Sequence, residues 1–259
     1  MNSYNFMALE ALIFDVDGTL ANTEHDGHLR AFNETFKLFE LDWHWDSELY
    51  SDLLSISGGK ERLAHYISHY NPNLESVLSV NDIADIHNKK TEIFVNHGAN
   101  GEVSLRNGVD RLIEEAIDGG LSLGIATTTS LKNVEVLITS TLGESVLDKF
   151  EVIGAGDVVK SKKPAADIYQ YVLDKMRLSC DECIAFEDSE IGFASSTSAG
   201  LKTVVTLSEY NKKQIFRGAL VVLDHLGDEN QSFEIIKGNP TNHSFVGVGY
   251  LKEIYEQDR

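Results

Sequence analysis

The sequence predicts an α/β fold, a doubly wound parallel sheet with a helical unit inserted after the first strand, and three observations carry that reading. The apolar run Ala11-Leu12-Ile13-Phe14 has the composition of a short buried strand. The stretch from about residue 23 to residue 103 has helical periodicity and almost no strand signal. From residue 105 onward, short apolar runs alternate with helical segments, the pattern of right-handed crossovers in a parallel sheet covered on both faces.

Taken in order, the first strand ends in Asp15-Val16-Asp17-Gly18-Thr19-Leu20, and the helical insert follows. Within it Leu63, Tyr66, Ile67 and Tyr70 recur at helical spacing, as do Ile83, Ile86, Ile93 and Phe94. Further strands are expected over residues 121–126, 152–153, 183–186 and 203–205, with one more at 221–223. Helices are expected between them over 108–117, 131–142, 167–176 and 191–199. Residues 1–22 and 104–259 would then form the core domain and residues 23–103 a cap, which leaves and re-enters beside the first strand and can sit over the sheet's carboxyl edge as a lid. The polar tail, residues 227–259, has apolar clusters at 233–236 and 245–248 and no assignable role.

At 259 residues, 42% hydrophobic and 24% charged, the composition is that of a soluble globular protein. A net charge of −19 argues against nucleic acid and anionic membrane as partners. It leaves room for a phosphorylated substrate, because a bound divalent cation and a few Lys or Arg side chains can reverse the local field. Residues 1–7 lack the basic and apolar regions of a secretory signal, so a cytoplasmic location is expected; a plastid protein relieved of its transit peptide would read the same way. Cys180 and Cys183 stand in C-x-x-C spacing, but without a second ligand pair or a helix opening at the pair they read as two reduced thiols. His65 and His69 lie four apart with no third ligand evident and read as cap surface, as do His25, His44 and His87.

Four segments converge on the strand ends. Asp15 and Asp17, two apart on an extended trace, repel unless a cation lies between them or one holds a proton, which suggests Mg2+ or acid/base work. Thr127-Thr128-Thr129-Ser130 offers hydroxyls and backbone N–H groups before a helix, a phosphate cradle or simply a helix cap. Lys163 precedes Pro164 and is pushed out of helical geometry, so it can reach the strand ends or lie solvated on a lysine-rich loop. Glu187-Asp188 ends another apolar strand, where two carboxylates suit Mg2+ or a solvated acidic turn.

With these motifs in this order, the chain resembles the haloacid dehalogenase superfamily over nearly its whole length to about residue 226. The insert is similar to the four-helix cap of the phosphoglycolate phosphatase and β-phosphoglucomutase subgroup. The resemblance implies a Rossmann-like core and a Mg2+-dependent phosphotransferase that forms an aspartyl-phosphate. It implies that Asp15 is the nucleophile and that Asp17 is the general acid and base, poised near neutrality. Thr127, the Thr128 amide and Lys163 would bind the phosphoryl oxygens. Asp15, the Asp17 carbonyl and Asp188 would hold Mg2+, with Glu187 acting directly or through water.

Arg30-Ala31-Phe32-Asn33, the run Ser57-Gly58-Gly59-Lys60-Glu61-Arg62, residues 86–92 and the Thr127–Leu131 run look like the CbbY-type sugar-phosphate phosphatases, members of which dephosphorylate xylulose 1,5-bisphosphate. That similarity implies a ketose or sugar bisphosphate as substrate. It places Lys60, Arg62 and Lys90, together with Thr128 and Thr129, at the substrate, unless the three cations form a solvated cap face. Asn22 stands where an acidic residue is common in relatives, and one extra residue precedes His28. Competing readings are a β-phosphoglucomutase-type mutase, a 2-phosphoglycolate phosphatase and a non-catalytic phosphometabolite-binding protein. The protein is expected to be a monomer or a dimer.

Overall fold

The computed structural model describes residues 8–74 and 78–258. One sheet contains β1 (Ala11–Phe14), β2 (Ser122–Ala126), β3 (Phe150–Gly154), β4 (Cys183–Glu187), β5 (Lys202–Thr206), β6 (Val221–Leu223) and β7 (Ile235–Lys237). Their spatial order is β3-β2-β1-β4-β5-β6-β7; all neighbouring pairs are parallel except β6 with β7. Each expected strand is present, within two residues of its expected bounds.

The insert contributes α1 (Arg30–Leu38), α2 (Ser47–Leu53), α3 (Gly59–Tyr70) and α4 (Val80–Ala99), preceded by a π-helical turn at Glu24–Leu29. The core adds α5 (Val109–Asp118), α6 (Leu131–Thr141), the single turn α7 (Glu144–Leu147), α8 (Asp167–Met176), α9 (Glu190–Ser198) and α10 (Val248–Gln257). No described helix is long and apolar enough to cross a membrane.

Strand alternation explains why both sheet faces must be covered. Ala11 and Ile13 point to one side, into a cluster with Tyr169, Val172, Cys183 and Ala185. Leu12 and Phe14 point to the other, among Ile113, Val134, Ile184 and Phe186, and the Phe14 and Phe186 rings stack at 4.6 Å.

The insert has a separate aromatic core. Phe32, Phe36, Trp43, Trp45, Tyr50 and Tyr66 pack together, so both tryptophans of the chain lie in the cap. Asn33 secures the irregular stretch after α1: its Nδ2 donates to the Trp45 carbonyl (2.7 Å) and its Oδ1 accepts from the Trp45 amide (2.8 Å). The two connections to the core meet where Ala21 and Leu105 form an antiparallel bridge, so the insert enters and leaves side by side.

The tail is ordered structure. It supplies β7 and then α10, whose Val248, Leu251 and Tyr255 join the core beneath α5, and Glu115 accepts from the Val248 amide at 2.8 Å. Its passage is tight: a Cβ on Gly108, which has φ +82°, would lie 2.2 Å from the Gly227 carbonyl oxygen.

Candidate active site

Register alone brings the motifs together. Phe14 pairs with Ile125 on one side and Phe186 on the other, so the residues after these positions emerge along one carboxyl edge. Asp15, Thr127 and Glu187 therefore meet, and the Asp15 amide donates to the Phe186 carbonyl at 3.0 Å. Lys163 arrives from the loop before α8: its Nζ donates to Asp15 Oδ1 at 2.6 Å and to Glu187 Oε1 at 2.7 Å. The Tyr169 hydroxyl, from α8 itself, donates to the same Glu187 oxygen at 2.5 Å.

Three carboxylates, Asp15, Glu187 and Asp188, offer oxygens within 4.8 Å of one another and are all buried. One ammonium, Lys163, reaches two of them, so the group carries excess negative charge. Burial pushes the Asp15 carboxyl well above its usual value, against the pull of Lys163 and with the help of Glu187, Asp188 and Asp17. Burial and Glu187 push Asp188 up to about 7. Glu187 Oε2 is buried without a hydrogen-bond partner and sits where a Cβ on residue 192 would be 1.8 Å away, a space that Gly192 leaves clear. A set of crowded, all-oxygen donors short of positive charge, one of them orphaned, fits Mg2+.

Asp17 stands outside this group. Its Oδ1 accepts from the Thr23 hydroxyl at 2.6 Å and lies 2.9 Å from His28 Nε2. Lys90 completes a chain, its Nζ 2.7 Å from His28 Nδ1. Burial alone would raise the Asp17 carboxyl, but the charge and hydrogen bond of His28 and the bond from Thr23 hold it well below the usual carboxylate range. With no substrate in the cavity, these partners stabilise the Asp17 anion.

A cavity of about 500 Å³ lies between cap and core, lined by Asp15, Asp17, Thr127 and Lys163 below and by Lys60, Arg62 and Lys90 of the cap. Thr128 and Thr129 also line it. Thr129 Oγ1 accepts from Asn133 (2.9 Å), while Ser130 caps α6, so cradle and cap coexist in one turn.

The three cap cations differ in their engagements. Lys60 reaches the core, its Nζ 2.5 Å from Asp157, which also pairs with Lys162 at 3.0 Å. Arg62 uses three of its five N–H donors on Leu53, Tyr50 and Ile56. Lys90 is buried over the Phe32 and Phe94 rings, and burial pushes its ammonium down to about 7. Arg62 and Lys90 are buried, whereas the Lys60 side chain is 39% exposed and so keeps solvent access as well as its pairing with Asp157.

His87 corrects an expectation. It lines the cavity, and burial together with the nearby lysines pushes its imidazole down to about 3. His65 and His69 stack at 3.9 Å on the cap's outside, His44 is exposed, and the side chain of His25 lies outside the described residues. Cys180 and Cys183 are free thiols.

Sequence reasoning missed Thr23, His28, Tyr169, Asn211 and Arg106. Arg106, buried at 8% exposure, donates to the carbonyls of Gly18, Thr206, Leu207 and Asp224 and so ties the first loop to the ends of β5 and β6. No local pattern marks it; only the extra residue before His28 pointed towards any of these positions.

Gly18 adopts φ +82°, and a Cβ there would lie 2.1 Å from Asp188 Oδ2. Gly18→Ala is expected to lose about 1–3 kcal/mol in denaturant titration, from strain and displacement, and to weaken Mg2+ binding at the same time. Unchanged Mg2+ affinity would show that Asp188 is not placed by this turn.

Comparison with known proteins agrees with the geometry. Residues 12–206 match the haloacid dehalogenase-like hydrolase family. Protein CbbY of Rhodobacter capsulatus is 49% identical over 213 residues, 82% of this chain and 92% of that protein. The crystal structure of CbbY from Rhodobacter sphaeroides in complex with phosphate superposes with a TM-score of 0.78 at 45% identity, covering 84% of this chain and 94% of that one. A mutant of the same protein in complex with xylulose-(1,5)bisphosphate gives 0.78 at 43% identity, with the same coverage. The chain belongs to the haloacid dehalogenase-like hydrolases, in their CbbY-type subgroup.

Proposed function

We infer that the protein is a Mg2+-dependent phosphatase that hydrolyses a ketose bisphosphate of the xylulose 1,5-bisphosphate kind through a phosphoryl group carried on Asp15. The observation that carries this reading is the cavity in which the Asp15–Lys163 pair faces cap cations across a space of about 500 Å³. One phosphate would meet the floor; the other would compete with Asp157 for the Lys60 and Lys162 ammonium groups. The xylulose bisphosphate complex of the Rhodobacter sphaeroides relative supports the same substrate class.

Asp15, Asp188 and the Asp17 carbonyl would hold the cation, with Glu187 behind them. When bound, Mg2+ neutralises the clustered carboxylates and the charge on the transferring phosphoryl group. Asp15 attacks phosphorus in line, its Oδ1 oriented by Lys163. Thr127, the Thr128 amide and Lys163 receive the equatorial oxygens, over which charge spreads in a loose transition state. Asp17 passes to the departing sugar oxygen a proton drawn from His28, whose Nε2 lies 2.9 Å from its Oδ1, and then takes one back from the water that cleaves the acyl phosphate. The anion favoured by Thr23 and His28 is the base of that second half-reaction. Residues 23–103 act as the cap that excludes bulk water from the phosphorylated enzyme.

The test is phosphate release from xylulose 1,5-bisphosphate, ribulose 1,5-bisphosphate, 2-phosphoglycolate and β-glucose 1-phosphate, with Mg2+ or EDTA. Mg2+-dependent turnover is expected to be fastest with xylulose 1,5-bisphosphate. A preference for another panel member moves the substrate assignment, and isomerised sugar phosphate without released phosphate makes the protein a mutase.

A further inference from the structure

The segment after β5 touches both the metal cluster and the cap's aromatic core. Asn211 is buried: its Nδ2 donates to Asp188 Oδ2 at 2.6 Å and to Ser208 Oγ at 2.6 Å, and the Ser208 hydroxyl also bonds Asp188. Gln214 braces this amide from the far side, its Nε2 donating to Asn211 Oδ1 at 2.8 Å, while its own Oε1 accepts from the Glu190 amide at 2.6 Å. Asn211 is thus held on both ends of its side chain with its donor aimed at one carboxylate oxygen.

The preceding residue faces the other way. Tyr210 packs against the aromatic cluster of the insert, its ring 6.1 Å from that of Tyr50 in a T-shaped contact, and it lines the cavity. Tyr50 in turn lies 6.0 Å from Trp45 and binds Arg62 and Glu24 through its hydroxyl. Adjacent residues of one turn therefore contact the cap core and a carboxylate assigned to the cation.

We propose that residues 208–214 couple cap seating to Mg2+ binding: Tyr210 senses the cap, and Asn211 positions Asp188, so the cation binds more tightly when the cap is seated. Tyr210 and Asn211 are positioning residues that act through Asp188. A displaced cap withdraws the surface on which Tyr210 rests and relaxes the turn that aims Asn211. Coupling of this kind is reciprocal, so Mg2+ also favours the seated cap before substrate enters. The proposal rests on the assignment of Asp188 to the cation, and its test keeps the two apart.

Mg2+ alone is titrated calorimetrically into the folded protein and five variants. Asp188→Asn reports the site itself and is expected to abolish binding. Asn211→Ala, which leaves the packing of Tyr210 in place, is expected to weaken Mg2+ about 10- to 100-fold, as losses of outer-shell partners do. Tyr210→Ala is expected to weaken it about five- to tenfold, and Tyr210→Phe, which keeps the ring, to restore it. The Tyr210→Ala/Asn211→Ala double variant is expected to bind no more weakly than Asn211→Ala alone, because both act along one path. Wild-type affinity in Tyr210→Ala, or full additivity in the double variant, overturns the coupling while leaving the site intact. Wild-type affinity in Asp188→Asn overturns the cation assignment and the coupling with it.

Discussion

Asp15→Asn is expected to lower phosphate release by about 10⁴-fold or more without unfolding the protein. The amide is nearly isosteric, and Asp15 is buried at 7% exposure, so the shape of the site survives; what disappears is the carboxylate oxygen assigned to attack phosphorus. Stability should move in the opposite direction from activity. Burial raises the folded-state pKa of Asp15, so the stability linked to its proton is present at low pH and is lost as pH rises through that raised value. Ionised Asp15 therefore costs stability at neutral pH, and asparagine removes that cost. Denaturant titrations at pH 5 and pH 8 should show a smaller loss towards pH 8 in the variant than in the wild type. Residual turnover within tenfold of wild type would take the nucleophile's role from Asp15.

Lys163→Met should damage both stability and catalysis. Lys163 is 5% exposed and donates to Asp15 and Glu187, so methionine, of similar length and no charge, leaves two buried carboxylates without their shared ammonium. Breaking a buried ion pair from one side costs about 3–5 kcal/mol, far more than loss of an exposed pair such as Lys89–Glu92. Phosphoryl transfer should fall by at least about 10³-fold, since the same ammonium would meet an equatorial oxygen. Mg2+ supplies replacement positive charge, and saturation to 100 times its Kd adds about 2.7 kcal/mol through mass action alone. Denaturation with and without Mg2+ should thus show a larger gain in the variant than in the wild type if the ammonium and the cation neutralise the same charges. Equal gains would mean that Lys163 acts on phosphate only.

The expected strands and crossover helices were legible because alternation and helical period are local properties that the two sheet faces enforce. Leu12 and Phe14 must face one cluster and Ala11 and Ile13 the other, whatever the rest of the chain does. The tail was not legible for the opposite reason. β7 is three residues long and half open to solvent, with Ile236 49% exposed, so it carries too little apolar pattern to announce a strand.

By itself, the sequence determined that Asp15, Thr127 and Glu187-Asp188 gather at one edge, because each motif ends or follows an apolar run and parallel strands present such ends on one side; it left Lys163 open between that edge and a solvated loop. Tertiary structure alone decided how those groups are ionised and held. Lys90 is 62 residues from His28, Arg106 is 100 residues from Thr206, and Asn211 is 23 residues from Asp188, separations that leave no period in the chain. Whether Asp17 is an acid or an anion, and whether Lys90 is solvated or buried, depends on partners brought together only by packing of the cap on the core, since burial and short-range charge act through space and not along the sequence.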